Sequence, residues 1–140
     1  MLKCLVYSNG ILIGSAELVA SDPPMGSASG PFYPNEKYTE IQDIIRGHHL
    51  FDGTLGEVNE QKLMEAQAGI DALGLSVVTE NGETLEPSNG FDIVDFSGEL
   101  KEDPFELEVF GLPFEMYDRL FPSAWEEYDA NLKEEEGFIN

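Results

Sequence analysis

Leu2-Lys3-Cys4-Leu5-Val6-Tyr7-Ser8-Asn9-Gly10-Ile11-Leu12-Ile13-Gly14-Ser15-Ala16-Glu17-Leu18-Val19 is the stretch from which the fold can first be read. Two runs, 2–7 and 11–19, are rich in β-branched, aromatic and long aliphatic residues, the composition that suits a pleated surface. Between them stands Asn9-Gly10, a dipeptide that tolerates the positive φ angles of a two-residue turn. The reading is a β-hairpin.

Downstream, residues 21–34 hold four prolines, two glycines and several small polar residues, a composition that predicts an irregular loop. A loop of that length is functional or is packed back on the core by its apolar members, here Met25, Phe32 and Tyr33. Asn35 then reads as the N-cap of a helix carrying Tyr38, Ile41, Ile44 and Ile45 at helical spacing, with Gly47 as its stop. A second amphipathic helix is expected over 59–73, with Leu63, Ala66, Ile70 and Leu73 on one stripe and Gly74 past its end.

Strand patterning returns over 75–79, 83–86, 91–96 and 105–110, with turns at Asn81-Gly82 and Ser97-Gly98. In Phe105-Glu106-Leu107-Glu108-Val109 the alternation is strict, so Phe105, Leu107 and Val109 face a core while Glu106 and Glu108 face outward. Phe114, Tyr117, Leu120 and Phe121 form a helical stripe. Pro122 interrupts it, and Ser123 caps a last helix with Trp125, Tyr128 and Leu132. Glu134-Glu135-Glu136 sits against the negative end of that helix dipole, so the tail over 134–140 is expected to fray. The fold class is α+β: an antiparallel meander with helices packed on one face, in a single domain spanning 1–140.

The interior this requires is available, since 41% of the 140 residues are hydrophobic and 11% aromatic. The exterior is extreme. Twenty-eight Asp and Glu face seven Lys and Arg, for a formal charge of −21. Direct binding to nucleic acid or to an anionic membrane needs a basic surface and is disfavoured. Residues 1–70 carry nine acids and four bases, a net of −5, whereas 71–140 carry nineteen acids and three bases, a net of −16. Between Glu80 and Glu108 ten acids (Glu80, Glu83, Glu86, Asp92, Asp95, Glu99, Glu102, Asp103, Glu106 and Glu108) stand against Lys101 alone. Close like charges weaken a fold, so this asymmetry points to a basic protein partner. Trp125, Glu126, Tyr128 and Phe138 are candidate anchors beside those acids.

The N-terminal apolar run is too short for a secretory signal and no stretch reaches a membrane span, so the expected compartment is the cytosol. The lone Cys4 reads as a structural thiol. His48 and His49 are adjacent and diverge, which is not zinc spacing; a catalytic pairing with Asp52 is the alternative to an exposed helix exit. Gly26-Ser27-Ala28-Ser29-Gly30 lacks the Lys of a phosphate loop, and neither serine sits in a nucleophile elbow. Asp92, Asp95, Ser97 and Glu99 miss the calcium-loop spacing. The expectation is therefore no catalytic residue, no metal site and no cofactor.

Asn9-Gly10-Ile11-Leu12-Ile13-Gly14, Asp22-Pro23-Pro24-Met25-Gly26, Gly30-Pro31-Phe32 and Tyr38 together resemble small bacterial proteins of a hairpin-plus-loop type, a likeness confined to about the first forty residues. In size, acidity and lack of catalytic motifs the whole chain resembles immunity proteins that neutralise secreted bacterial toxins, including those of contact-dependent inhibition systems. That resemblance implies an inhibitor that binds a basic toxin domain such as a nuclease. Two other classes fit the composition: a nucleic-acid mimic that presents carboxylates at phosphate-like spacing, and a small enzyme or ligand-binding domain using the 22–34 segment with His48 or His49.

Overall fold

The computed structural model describes residues 1–51, 59–102 and 104–139, with side chains described for 1–48, 59–102 and 104–133. The hairpin forms as expected. Strand β1 (Leu2–Ser8) pairs antiparallel with β2 (Ile11–Asp22), and the turn has φ of 49° at Asn9 and 79° at Gly10. Both angles lie in the left-handed region that Asn and Gly accept most readily. The register passes from Val6↔Gly14 to Tyr7↔Leu12, so Ile13 is an extra residue on β2, a bulge that sends its side chain into the core.

The segment expected to be a loop is a central strand. After one 3-10 turn at Pro23–Met25, residues Ser27–Pro34 form β3, paired with β2 on one side and with β6 (Phe105–Val109) on the other. Gly30 makes this possible, because a Cβ there would collide with the backbone oxygen of Glu17. The β2–β3 ladder is interrupted opposite Gly30 and Pro31, where a proline has no N–H to donate. Small residues and prolines, read as loop chemistry, are here the means of close strand approach.

With β4 (Leu75–Thr79) and β5 (Phe91–Asp95), the sheet has six antiparallel strands in the order β4-β1-β2-β3-β6-β5. The meander β1-β2-β3 is its centre. The expected strand over 83–86 reduces to one bridge, Val78↔Thr84, along the outer edge of β4.

Asn35 caps as expected, its side chain accepting from the Lys37 N–H at 2.8 Å, but it caps a 3-10 helix, Glu36–Glu40. Helix α1 (Gln42–Phe51) follows and runs straight through Gly47, the expected stop. Its neighbour α2 (Glu60–Asp71) is capped by Asn59, whose side chain accepts from the Lys62 N–H at 3.1 Å. Helices α3 (Phe114–Leu120) and α4 (Ala124–Ile139) are separated at Pro122. The bounds of α4 include Glu134-Glu135-Glu136.

The helices cover one face of the sheet. Inward-facing Val6, Leu18, Ile93, Leu107 and Val109 are fully buried against Tyr38, Ile45, Leu73, Tyr117 and Phe121. The alternation read in β6 holds: Leu107 and Val109 are buried, Phe105 packs against the core, and Glu106 and Glu108 lie on the other face. At one end of the core Phe32, Tyr38 and Phe105 meet edge to face, with ring centroids 5.5 to 6.3 Å apart.

Candidate functional site

The second face of the sheet is built from the alternate strand positions. Across it, Val19 pairs with Ser29, Ser29 with Glu108 and Glu108 with Asp92, which makes one continuous row over four strands. The next row places Pro31 against Glu106 and Glu106 against Val94, and further along Val78, Leu5, Ser15 and Tyr33 follow in register. Leu5, Val19 and Tyr33 are each two-fifths to one-half exposed. A shallow hollow of about 280 Å³ lies on this face, lined by Lys3, Leu5, Ser15, Glu17 and Glu80 among others. The face thus mixes apolar side chains with the Lys3–Glu17 pair over β4, β1 and β2 and carries Asp92, Glu106 and Glu108 over β5 and β6.

Its charge balance is one-sided, since Lys3, the cross-strand neighbour of Glu17, is the sole basic residue in the six strands. Asp92 and Glu108 stand directly opposite each other across β5 and β6. Of the acids picked out from the sequence, Glu106, Glu108 and Asp92 lie together on this face. Glu17 and the outward apolar residues were missed. Their signal was the parity of 3, 5 and 7 against 15, 17 and 19, which puts Leu5 and Val19 on the face opposite Cys4 and Leu18.

The other sequence-selected acids are placed differently. Asp95 is not displayed: it faces inward at 7% exposure, beside the aromatic cluster. Its Oδ2 accepts from the Tyr38 hydroxyl at 2.7 Å and from Gln42 Nε2 at 3.0 Å, while its Oδ1 accepts from the Ser97 N–H at 2.8 Å and the Ser97 hydroxyl at 2.6 Å. Burial alone would push this carboxyl up, but the bonds from Ser97, Tyr38 and Gln42 outweigh it and hold the group below the ordinary Asp value. The same burial, with the bond to Asp95, drives the Tyr38 phenol far upward. Strand parity explains the misreading, because Asp92 and Asp95 are three apart and must point to opposite faces.

Glu83 is engaged by Arg119, whose two terminal nitrogens donate to its two oxygens at 2.6 Å each. Hydrogen bonding to that guanidinium lowers the carboxyl's pKa. Glu99 lies 4.0 Å from Arg46. Glu102 is exposed in the β5–β6 connection, and Glu80 and Glu86 are exposed around the 83–86 segment.

The C-terminal anchors form a separate patch. Trp125 and Tyr128 are half-buried at the start of α4, Glu126 is exposed, and Phe114 on α3 is 62% exposed. Asp52, Asp103 and the side chains of His49 and Phe138 lie outside the described residues.

The features considered for chemistry are taken up structurally. His48 lies inside α1, its Nε2 2.9 Å from Gln67 Oε1 on α2, and Gln67 in turn donates to Asp71. It tethers two helices instead of forming the exposed helix exit read from the sequence. Ser27 and Ser29 belong to β3. The Cys4 thiol is buried, and desolvation pushes its pKa up to about 11. Among the described residues no group of three or more His, Cys, Asp or Glu side chains could hold a metal ion, and no helix is long and apolar enough to cross a membrane.

The chain is a single α+β domain with helices on one sheet face and Asp92, Glu106 and Glu108 on the other. No family model, curated protein or solved structure matches it.

Proposed function

We propose that this chain is a cytosolic binding protein of the immunity type, an inhibitor whose open sheet face docks a basic protein such as a toxin nuclease domain. The observation that carries this reading is the composition of that face. Exposed Val19 lies in one row with Glu108 and Asp92, and exposed Leu5 and Tyr33 lie in a second row through Ser15 on the same face. Specific interfaces combine a desolvated apolar core with a polar rim, and complementary charge sets their register and encounter rate. The mixture favours a protein partner over nucleic-acid mimicry, which calls for an extended ribbon of carboxylates.

The test is co-expression with basic toxin nuclease domains, with growth as the readout. Wild type is expected to restore growth and to associate at about 10⁸ M⁻¹s⁻¹ at low salt, with a rate that falls as salt rises. Changing Glu102, Glu106 and Glu108 to Lys is expected to slow association and flatten its salt dependence. Full protection and an unchanged association rate in that variant refute the placement.

A further inference from the structure

Away from the sheet, an aromatic corner has formed where α3 meets α4. The ring centroid of Phe114 lies 6.5 Å from that of Trp125, and Tyr128 meets Trp125 edge to face at 6.0 Å. Phe114 and Asp118 are one helical turn apart and so share a side of α3. The Trp125 indole N–H donates to Asp118 Oδ1 at 2.8 Å, so its donor is spent within the protein and its ring is what remains to offer a partner. Phe114 is 62% exposed, whereas Phe32 and Phe121 are buried.

Charge around the corner has one sign. Glu115, Asp118, Glu126, Glu127 and Asp129 are all exposed, and the one base between Phe114 and Asp129 is Arg119. Its guanidinium is already held by both oxygens of Glu83. An exposed aromatic surface rimmed by carboxylates attracts a cation that is itself flat and weakly hydrated. A guanidinium fits both demands: it stacks on an aromatic ring and presents a fork of N–H donors to a carboxylate, while an ammonium is compact and strongly hydrated.

We infer that the α3–α4 corner is an arginine-docking site, in which an arginine side chain of a basic protein partner stacks on Phe114 and Trp125 and donates to Asp118. The inference rests on reading the chain as a binder of basic proteins, and it adds a second contact point built from different elements than the sheet face.

Trp125 is the one tryptophan of the chain, so its fluorescence reports on this corner directly. The experiment titrates the full chain with nine-residue oligoarginine and oligolysine at physiological ionic strength. Oligoarginine is expected to bind about fivefold more tightly than oligolysine and to change Trp125 emission more strongly at saturation. Phe114→Ser, at an exposed position, and Asp118→Asn are each expected to abolish that preference. The triple change of Glu102, Glu106 and Glu108 to Lys is expected to weaken both peptides alike and keep the preference. Equal affinities in the wild type, or a preference that survives both corner variants, overturn the inference. Either result leaves the sheet-face reading standing, and that reading fails by its own test of association rate.

Discussion

Replacing Asp95 by Ala removes the acceptor of four hydrogen bonds at the junction of β5, the 3-10 helix and α1. Each bond to an ionised group contributes about 1.5–3 kcal/mol, but bonds sharing one carboxylate are not additive, and Gln42 and Ser97 are near enough to the surface to recover water. Tyr38, at 2% exposure, has no such recourse, and its hydroxyl would be left buried without an acceptor. The expected loss is about 3 kcal/mol, or roughly 10 °C in Tm. Asp95→Asn keeps the volume and one acceptor oxygen and should cost about 1–2 kcal/mol. Urea unfolding followed by circular dichroism measures both, and a double-mutant cycle with Tyr38→Phe isolates the Tyr38 bond. The pH dependence has a definite sign. The folded carboxyl lies below the ordinary Asp value of 3.8, so its contribution is fully present above that pH and is lost as the pH falls through the folded pKa. The gap between wild type and Asp95→Asn should therefore narrow toward pH 2. An Asp95→Ala variant within 0.5 kcal/mol of wild type at pH 7, an order-of-magnitude threshold for surface substitutions, would refute the buried acceptor role.

Three further outcomes follow from the packing. Gly30→Ala places a Cβ against the Glu17 carbonyl, a backbone atom that cannot step aside, and should cost about 2 kcal/mol or more in urea unfolding by separating β2 from β3. Gly47→Ala meets nothing within 4 Å in the interior of α1 and should stabilise the protein by about 0.5–1 kcal/mol, read as a higher urea midpoint. The Cys4 thiol, buried and with its pKa pushed up to about 11, should react slowly with a disulfide reagent at pH 8 in the native protein and rapidly in denaturant.

Features that depend on neighbouring residues were legible in the sequence. Asn9-Gly10 announced its turn, Asn35 its cap, and Phe105-Glu106-Leu107-Glu108-Val109 its two faces. Local composition misled where tertiary contact reversed its meaning. Residues 27–34 look like a loop because glycine and proline are poor strand formers, yet Gly30 is what lets β3 lie against Glu17. Gly47 resembles a helix stop, yet α1 continues through it to contacts with α2 and β5. In the candidate site, Glu106 and Glu108 were found by alternation, while Asp95 was counted as a displayed acid although its parity with Ile93 turned it inward.

The sequence by itself determined the α+β class, the hairpin, the segregation of charge and the outward pair Glu106 and Glu108, because periodicity, turn angles and composition are properties of short stretches. Only the tertiary structure decided which strands are neighbours. The order β4-β1-β2-β3-β6-β5 sets Val19, Ser29, Glu108 and Asp92 in one row, although Val19 and Asp92 are far apart in the chain. Strand partners are chosen by the shared burial of faces from distant segments, and no local pattern encodes that choice. The same global packing withdrew Asp95 into a hydrogen-bonded pocket and left an apolar surface beside the remaining carboxylates.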